Sequence, residues 1–415
     1  MSDEPGPSRK LCWTLVGAGA LLLLVGATLV PWSWVPGGSL APVRDTDAFA
    51  ADKLSRAETY SSLQRHLGWI SLAVSLAVGL VLGLTPIGAR IGCRVPGPWW
   101  WRMIGLVLLV LVVGAAATLP LDLTARQHAL DYGITEQSFA GWSRDRLVSL
   151  GVSWAFTTGT VLLVVGPARR WPRRWPLVTA VAGAVLTLAG SYAYPVLVEP
   201  LFNSFTPLAQ GSLRTEILKI AADEKVPLDD VLVADASRRT TTLNAYVSGF
   251  GSTRRVVLYD NLVKDSPRRE TLVVVAHELG HAKNHDVMLG TGMAAAGVVL
   301  ASGLLGLVLS RRRLLQMAGV PGPQAPEVAA LLMVLVTLAA LLASPVENTI
   351  SRAIEARADR VSLAATGDCV GFERLQVALA SRSLADPSPP ALSQFWFGSH
   401  PSAIQRLGLA QALCR

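Results

Sequence analysis

The chain reads as long apolar runs separated by polar segments, and the runs are of bilayer length. An apolar helix needs about 20 residues to cross a membrane. Seven stretches qualify, at approximately 11–32, 67–86, 103–119, 148–166, 177–197, 287–309 and 327–346, the third and fourth at the short end of the range. The first follows a polar start with Arg9 and Lys10, so a signal peptide is the competing reading. Leu11 to Val30 is longer than a usual signal core and Pro31-Trp32-Ser33-Trp34 is a poor cleavage site, which favours a span. Trp32, Trp34, Trp69, Trp99 to Trp101, Trp171 and Trp175 sit near the span ends, as interfacial anchors do.

Two regions break this pattern. Residues 198–286 show helical periodicity from Gly211 to Lys225, then β-rich runs at Val231–Ala234, Asn244–Val247 and Arg255–Leu262 with turn residues between. Residues 347–415 open with a charged helical stretch, break at Asp386-Pro387-Ser388-Pro389-Pro390 and end in a short helix. The expected organisation is five spans in 1–197, a soluble portion in 198–286, two further spans in 287–346 and a C-terminal portion in 347–415. No internal repeat is visible.

Composition agrees with a membrane protein. Hydrophobic residues make up 51% of the 415 and charged residues only 16%, against about 25% charged in soluble domains. A disordered chain is excluded and an ordinary soluble enzyme disfavoured. The net charge of +8 is arginine-rich. These arginines cluster at the ends of apolar runs instead of on a soluble face interleaved with aromatics, so nucleic acid is not an expected partner. With the N-terminus inside, the inner segments hold Arg9 and Lys10, then Arg90, Arg94 and Arg102, then Arg169, Arg170, Arg173 and Arg174, then Arg311 to Arg313. The outer loops also hold basic residues, diluted by acids such as Asp45, Asp47, Asp52 and Glu58. The positive-inside rule therefore favours N-in and C-out. Cys12, Cys93, Cys369 and Cys414 have no paired spacing, so neither a disulfide framework nor a cysteine metal site is expected and the redox compartment stays open.

The chemistry concentrates at His277-Glu278-Leu279-Gly280-His281, an H-E-x-x-H pattern. On a helix, residues i and i+4 share a face, so both imidazoles can bind one Zn²⁺, with Glu278 beside them as general base. The apolar run Thr271 to Ala276 supports a helix, and three of the six histidines fall within nine residues. A third ligand histidine in an extended motif would stand at position 287, which is Val287. His285 lies eight residues beyond His277, about 12 Å along a helix, too far to share the ion, so a supporting role is expected. The better partner is Glu355 or Asp359, i and i+4 on a second helix, where one carboxylate can ligate and the other orient a histidine.

These residues resemble the M48 metallopeptidases, and more narrowly the CAAX prenyl protease type 1, or Ste24-like, group. Glu199-Pro200-Leu201-Phe202-Asn203-Ser204-Phe205, Ser237-Arg238-Arg239, Asn244-Ala245-Tyr246 with Gly249-Phe250, Val257-Leu258-Tyr259-Asp260, and Ser399-His400-Pro401 with Arg406 extend the likeness over most of 195–410. The N-terminal half matches in hydropathy only. The resemblance implies a mainly α polytopic protein with about seven transmembrane helices and a gluzincin-like domain containing a small β-sheet. It implies one zinc per chain on His277, His281 and Glu355, Glu278 as base, and Asp359 behind a ligand histidine. It further implies Asn244 to Tyr246 as a substrate-pairing edge strand and Arg406 as a substrate-binding residue, with His400 and Arg406 near the metal, His400 helping to stabilise the oxyanion. Phe202, Phe205 and the Tyr246 ring are read as core.

The implied activity is a membrane-embedded zinc metalloendopeptidase acting on membrane-associated, lipidated or unfolded peptides. Glu278 would take the proton of the attacking water and pass it to the leaving amine. Arginine over lysine, with abundant alanine and valine, suggests a bacterial cell membrane, where quality control of membrane proteins competes with prenyl processing as the role. A non-proteolytic zinc-binding scaffold is a further alternative, disfavoured by the presence of Glu278. An intramembrane protease would place its motif within a span, whereas Arg268, Arg269, Glu270 and Lys283 surround this one. The spans are nearly free of charge, which disfavours transport. The charge rule and the family resemblance disagree on orientation, since the family implies a cytosolic site.

Overall fold

The computed structural model describes residues 6–33, 42–249 and 254–414; Trp34 and Phe250, singled out above, lie outside them. All seven apolar stretches are helical. Five belong to α1 (Arg9–Thr28), α2 (Ala51–Leu84), α3 (Trp99–Asp131), α4 (Phe139–Arg170) and α5 (Trp175–Leu197). The soluble portion adds β1 (Phe205–Pro207), α6 (Ser212–Asp223), β2 (Asp230–Ala234), β3 (Ala245–Ser248), β4 (Arg255–Tyr259) and α7 (Arg268–Lys283). Two long helices follow, α8 (Asp286–Leu309) and α9 (Ala329–Thr366), then α10 (Cys369–Ser383), α11 (Ala391–Phe397) and α12 (Ala403–Leu413).

The third and fourth stretches, short by hydropathy, are the middles of helices of 33 and 32 residues. At 1.5 Å per residue each spans about 50 Å, well beyond a hydrocarbon core of about 30 Å. Their polar extensions hold one another: Arg146 of α4 pairs with Asp122 of α3. Between α1 and α8 the backbones approach closely. A Cβ on Gly19 would fall 2.5 Å from the Leu300 nitrogen and one on Gly303 2.7 Å from the Cys12 carbonyl oxygen, so this crossing requires glycine. Met103, Leu106, Val165, Trp175 and Leu331 form the dry centre where α3, α4, α5 and α9 meet.

Two faces emerge. On one, Ser8 N donates to Arg173 O at 3.2 Å, Arg169 Nη1 donates to Gln324 O at 2.9 Å, and Arg102 pairs with Glu327. On the other, the 42–66 and 120–147 segments meet the soluble portion. Arg65 lies 3.2 Å from Asp386, Thr135 Oγ1 donates to Arg239 O at 2.7 Å, and Phe49 packs with Ala380 and Leu407.

The sheet has the order β1-β2-β4-β3, with β2 and β4 parallel and the outer pairs antiparallel. Ile217 of α6 and Val275 and Leu279 of α7 pack with Val231, Val256 and Leu258 of the sheet in one buried cluster. Two expectations shift by a few residues. The run expected as strand to Leu262 stops at Tyr259, because Asp260 opens a short helix (Asp260–Asp265) and its Oδ1 accepts from Ser237 N at 2.8 Å. Asn244 stands just before β3.

One expectation is overturned. Cys369 and Cys414 form a disulfide with a Cα separation of 6.3 Å. Forty-five residues separate them in sequence, so no spacing announces the pair. Cys369 opens α10 and Cys414 caps α12, and the packing of those two helices brings the sulfurs together.

Candidate metal centre

α7 carries His277 and His281 one turn apart on the side turned away from the sheet. Its neighbour is α9, and the two helices lie close: a Cβ on Gly280 would stand 3.2 Å from Val361 Cβ. Ser362 Oγ also donates to the Val273 carbonyl at 2.7 Å. This approach carries Glu355 to the two histidines, 78 residues from His277 in sequence.

Three atoms converge. His277 Nε2 lies 3.2 Å from Glu355 Oε2 and 3.2 Å from His281 Nε2, while His281 Nε2 lies 3.5 Å from Glu355 Oε1. A tetrahedral ion with bonds of about 2.1 Å spans about 3.4 Å between ligand atoms, so the triangle matches three vertices of such an ion. The far nitrogens support the same reading. His281 Nδ1 is 2.9 Å from Asp286 Oδ2, and His277 Nδ1 is 2.8 Å from Asp359 Oδ1, a close contact whose direction is off-line for an ideal hydrogen bond. With a proton placed on each Nδ1 by its carboxylate, each Nε2 presents a lone pair inward. Three acceptors facing one another are satisfied by a cation.

The field is equally suited to positive charge. Burial alone would push the His277 imidazole down, yet the adjacent Asp359 and Glu355 carboxylates outweigh it and carry the group up to about 10. Burial raises the Glu278 carboxyl, partly offset by His277 and His281, which makes its carboxylate a stronger base than a surface glutamate.

Glu278, His277, Asn244, His400 and Arg406 border one cavity of about 400 Å³, walled also by Phe372 and Leu375 of α10. His400 is exposed, and its Nδ1 stands 2.9 Å from Glu355 Oε2. Ala245 faces the buried cluster beneath the sheet, whereas the Tyr246 ring packs on the opposite side with Phe205 near Leu232 and Val257. Tyr246 Oη donates to Glu199 Oε2 at 3.3 Å. β3 is an edge strand, paired with β4 on one side. Arg406, expected near substrate, commits its guanidinium to Asp359, with Nε 2.8 Å from Oδ2 and Nη2 on Oδ1. His285 is exposed in the left-handed conformation (φ 56°) where α7 breaks into α8.

Sequence reasoning missed Asp286 and Arg357. Asp286 holds His281 and is itself gripped by Arg357 of α9. The available signal was an acid five residues after the second motif histidine; only the turn at His285 places it on the imidazole.

Residues 207–413 match the profile described as peptidase family M48, and residues 39–204 that described as CAAX prenyl protease N-terminal, five membrane helices. An uncharacterized metalloprotease of Bacillus subtilis, YhfN, is 28% identical over 411 residues, 96% of each chain. The CAAX prenyl protease 1 homolog of Arabidopsis thaliana is 34% identical over 227 residues, 54% of this chain and 53% of the relative. The crystal structure of S. mikatae Ste24p has the same fold, with a TM-score of 0.80 at 20% identity over 98% of this chain and all of that one. With its soluble and membrane portions both matched, the chain belongs to peptidase family M48, as a multi-pass membrane metalloendopeptidase.

Proposed function

We propose that the metal is one zinc ion per chain, held by His277, His281 and Glu355, and that the enzyme hydrolyses membrane-associated peptides in the cavity between β3 and α10. The observation that carries this reading is the triangle of inward lone pairs at tetrahedral spacing. Two imidazoles and one carboxylate are the protein donor set of a catalytic zinc. When bound there, zinc polarises a carbonyl and makes water acidic near neutral pH.

The protein's own groups supply the rest. Glu278 takes a proton from the attacking water as its oxygen bonds to the scissile carbonyl carbon. It returns that proton to the amine as the C–N bond breaks. Asp359 and Asp286 keep the histidines in the correct tautomer, and Arg406 and Arg357 fix those carboxylates. His400 sits beside Glu355 at the open rim, within reach of a carbonyl oxygen gaining negative charge. The edge of β3 left unpaired among the described residues, from Ala245 with Asn244 just before it, suits main-chain pairing with an extended peptide. Peptides tethered to the membrane are favoured because α8 and α9 carry the centre directly on span ends.

The test is metal content and peptide hydrolysis of detergent-purified protein, wild type beside Glu278→Ala. One zinc per chain in both, with chelator-sensitive cleavage in wild type only, is expected. Absence of zinc from protein with intact His277 and His281 would refute the assignment.

A further inference from the structure

The two faces of the bundle differ in charge and in cysteine chemistry, and the differences agree. The face formed by the N-terminus and the segments 85–102, 167–175 and 310–328 carries twelve basic residues, opposed by Asp3, Glu4 and Glu327 in the sequence. In a chain of net charge +8, the opposite face is left close to neutral. The short segments of that opposite face, 42–66 and 120–147, hold seven basic residues. Contacts between Ser8 and Arg173, Arg169 and Gln324, and Arg102 and Glu327 show that the basic segments share one end of the bundle, so a miscounted span cannot reverse the grouping. Basic residues in short loops are retained on the cytoplasmic side.

The cysteines divide along the same line. Cys93, exposed and unpaired, lies on the basic face. Cys369 and Cys414, bonded to each other, lie in the C-terminal portion on the opposite face with the metal centre. Disulfides persist in oxidising compartments and are rare in the cytoplasm.

We infer that the peptidase portion, with His277, His281 and Glu355, faces the non-cytoplasmic side of the membrane, and that its substrates are peptide segments presented there. The substrate half of this statement rests on the hydrolytic reading above; the orientation does not. Chains prenylated at a C-terminal cysteine remain in the cytoplasm and are out of reach of a centre so placed. The substrate class that fits is the extracytoplasmic tails, loops or released segments of membrane and exported proteins, captured in extended form along β3.

Orientation is read with the full chain in sealed vesicles and a membrane-impermeant maleimide, with labelled sites mapped by mass spectrometry. In right-side-out vesicles Cys369 and Cys414 should label only after an impermeant reductant, and Cys93 not at all. In inside-out vesicles Cys93 should label and the disulfide pair should not. A second probe is independent of the disulfide: Lys219→Cys on α6, at a position whose side chain is 73% exposed, should add a labelled site in right-side-out vesicles alone. Labelling of the Lys219→Cys variant at its introduced thiol from the inside-out surface, or of Cys369 and Cys414 there without reductant, overturns the orientation. Hydrolysis of an impermeant peptide then separates the two claims. Cleavage by right-side-out vesicles without detergent supports both. Correct labelling with no cleavage in either vesicle, even in detergent, leaves orientation standing and removes the substrate half. Cleavage by inside-out vesicles alone removes both.

Discussion

The two halves of the metal centre are built on one plan but in different surroundings. On one side, His277 is backed by Asp359 and Asp359 by Arg406; the aspartate side chain is 0% exposed and the arginine 14%. On the other, His281 is backed by Asp286 and Asp286 by Arg357, with the aspartate side chain 7% and the arginine 24% exposed. Both halves orient an imidazole through a carboxylate held by a guanidinium. They differ in what a broken link leaves behind. A charge stranded in the deep half has no water to turn to, whereas the shallow half can rehydrate. The deep half therefore couples metal binding to folding, and the shallow half tunes the metal with little structural consequence.

The largest effect is expected where the halves join. Glu355→Ala removes the carboxylate both histidines face and, on the proposed zinc assignment, metal should be lost and hydrolysis should fall by at least about 100-fold; the same loss should follow chelator dialysis and be reversed by added zinc. Asp359→Ala comes next. It leaves Arg406 buried and unpaired, which costs about 3–5 kcal/mol, read as a fall in thermal stability in detergent. Adding Arg406→Leu should recover much of that stability without restoring metal affinity. If the double variant regains both, Asp359 is a charge partner only. Asp286→Asn should lower metal affinity by roughly 10–100-fold while stability drops by less than in Asp359→Ala, and an equal drop would erase the distinction between the halves. At the small end, His285→Asn, which keeps a residue tolerant of the left-handed conformation, should change stability by no more than about 0.5 kcal/mol and leave metal content unchanged, although His285 is the third histidine of the cluster.

The disulfide acts at a distance from both. Closing a 45-residue separation limits the unfolded chain, and its removal in Cys414→Ser should destabilise by roughly 2–4 kcal/mol, with hydrolysis retained below the new unfolding midpoint.

Legibility varied with the range of the interaction. The spans were readable because burying apolar residues in lipid needs only local composition, and His277 with His281 because a helix puts i and i+4 together without help. Glu355 and Asp359 could be narrowed to a pair by spacing; that Glu355 is the one lying against both histidines was implied only by the family resemblance and is decided by the packing of α7 on α9. Asp286 was hidden because its position depends on the left-handed turn at His285. Arg406 carried no local sign that Asp359 would claim it. The third and fourth spans were read too short because hydropathy sees the lipid-facing middle and not the ion pairs, such as Arg146 with Asp122, that keep polar residues helical beyond it.

What the sequence determined by itself was everything set by periodicity and composition: seven crossings, a basic end and a helix presenting two histidines and a glutamate. The tertiary structure decided what depends on contacts between segments far apart in the chain. Packing of α7 on α9 closes the metal triangle, and docking of α12 against α10 joins Cys369 to Cys414. Both rest on surface complementarity that no window of sequence contains, because the free energy of a long-range contact is defined only once both partners have a place.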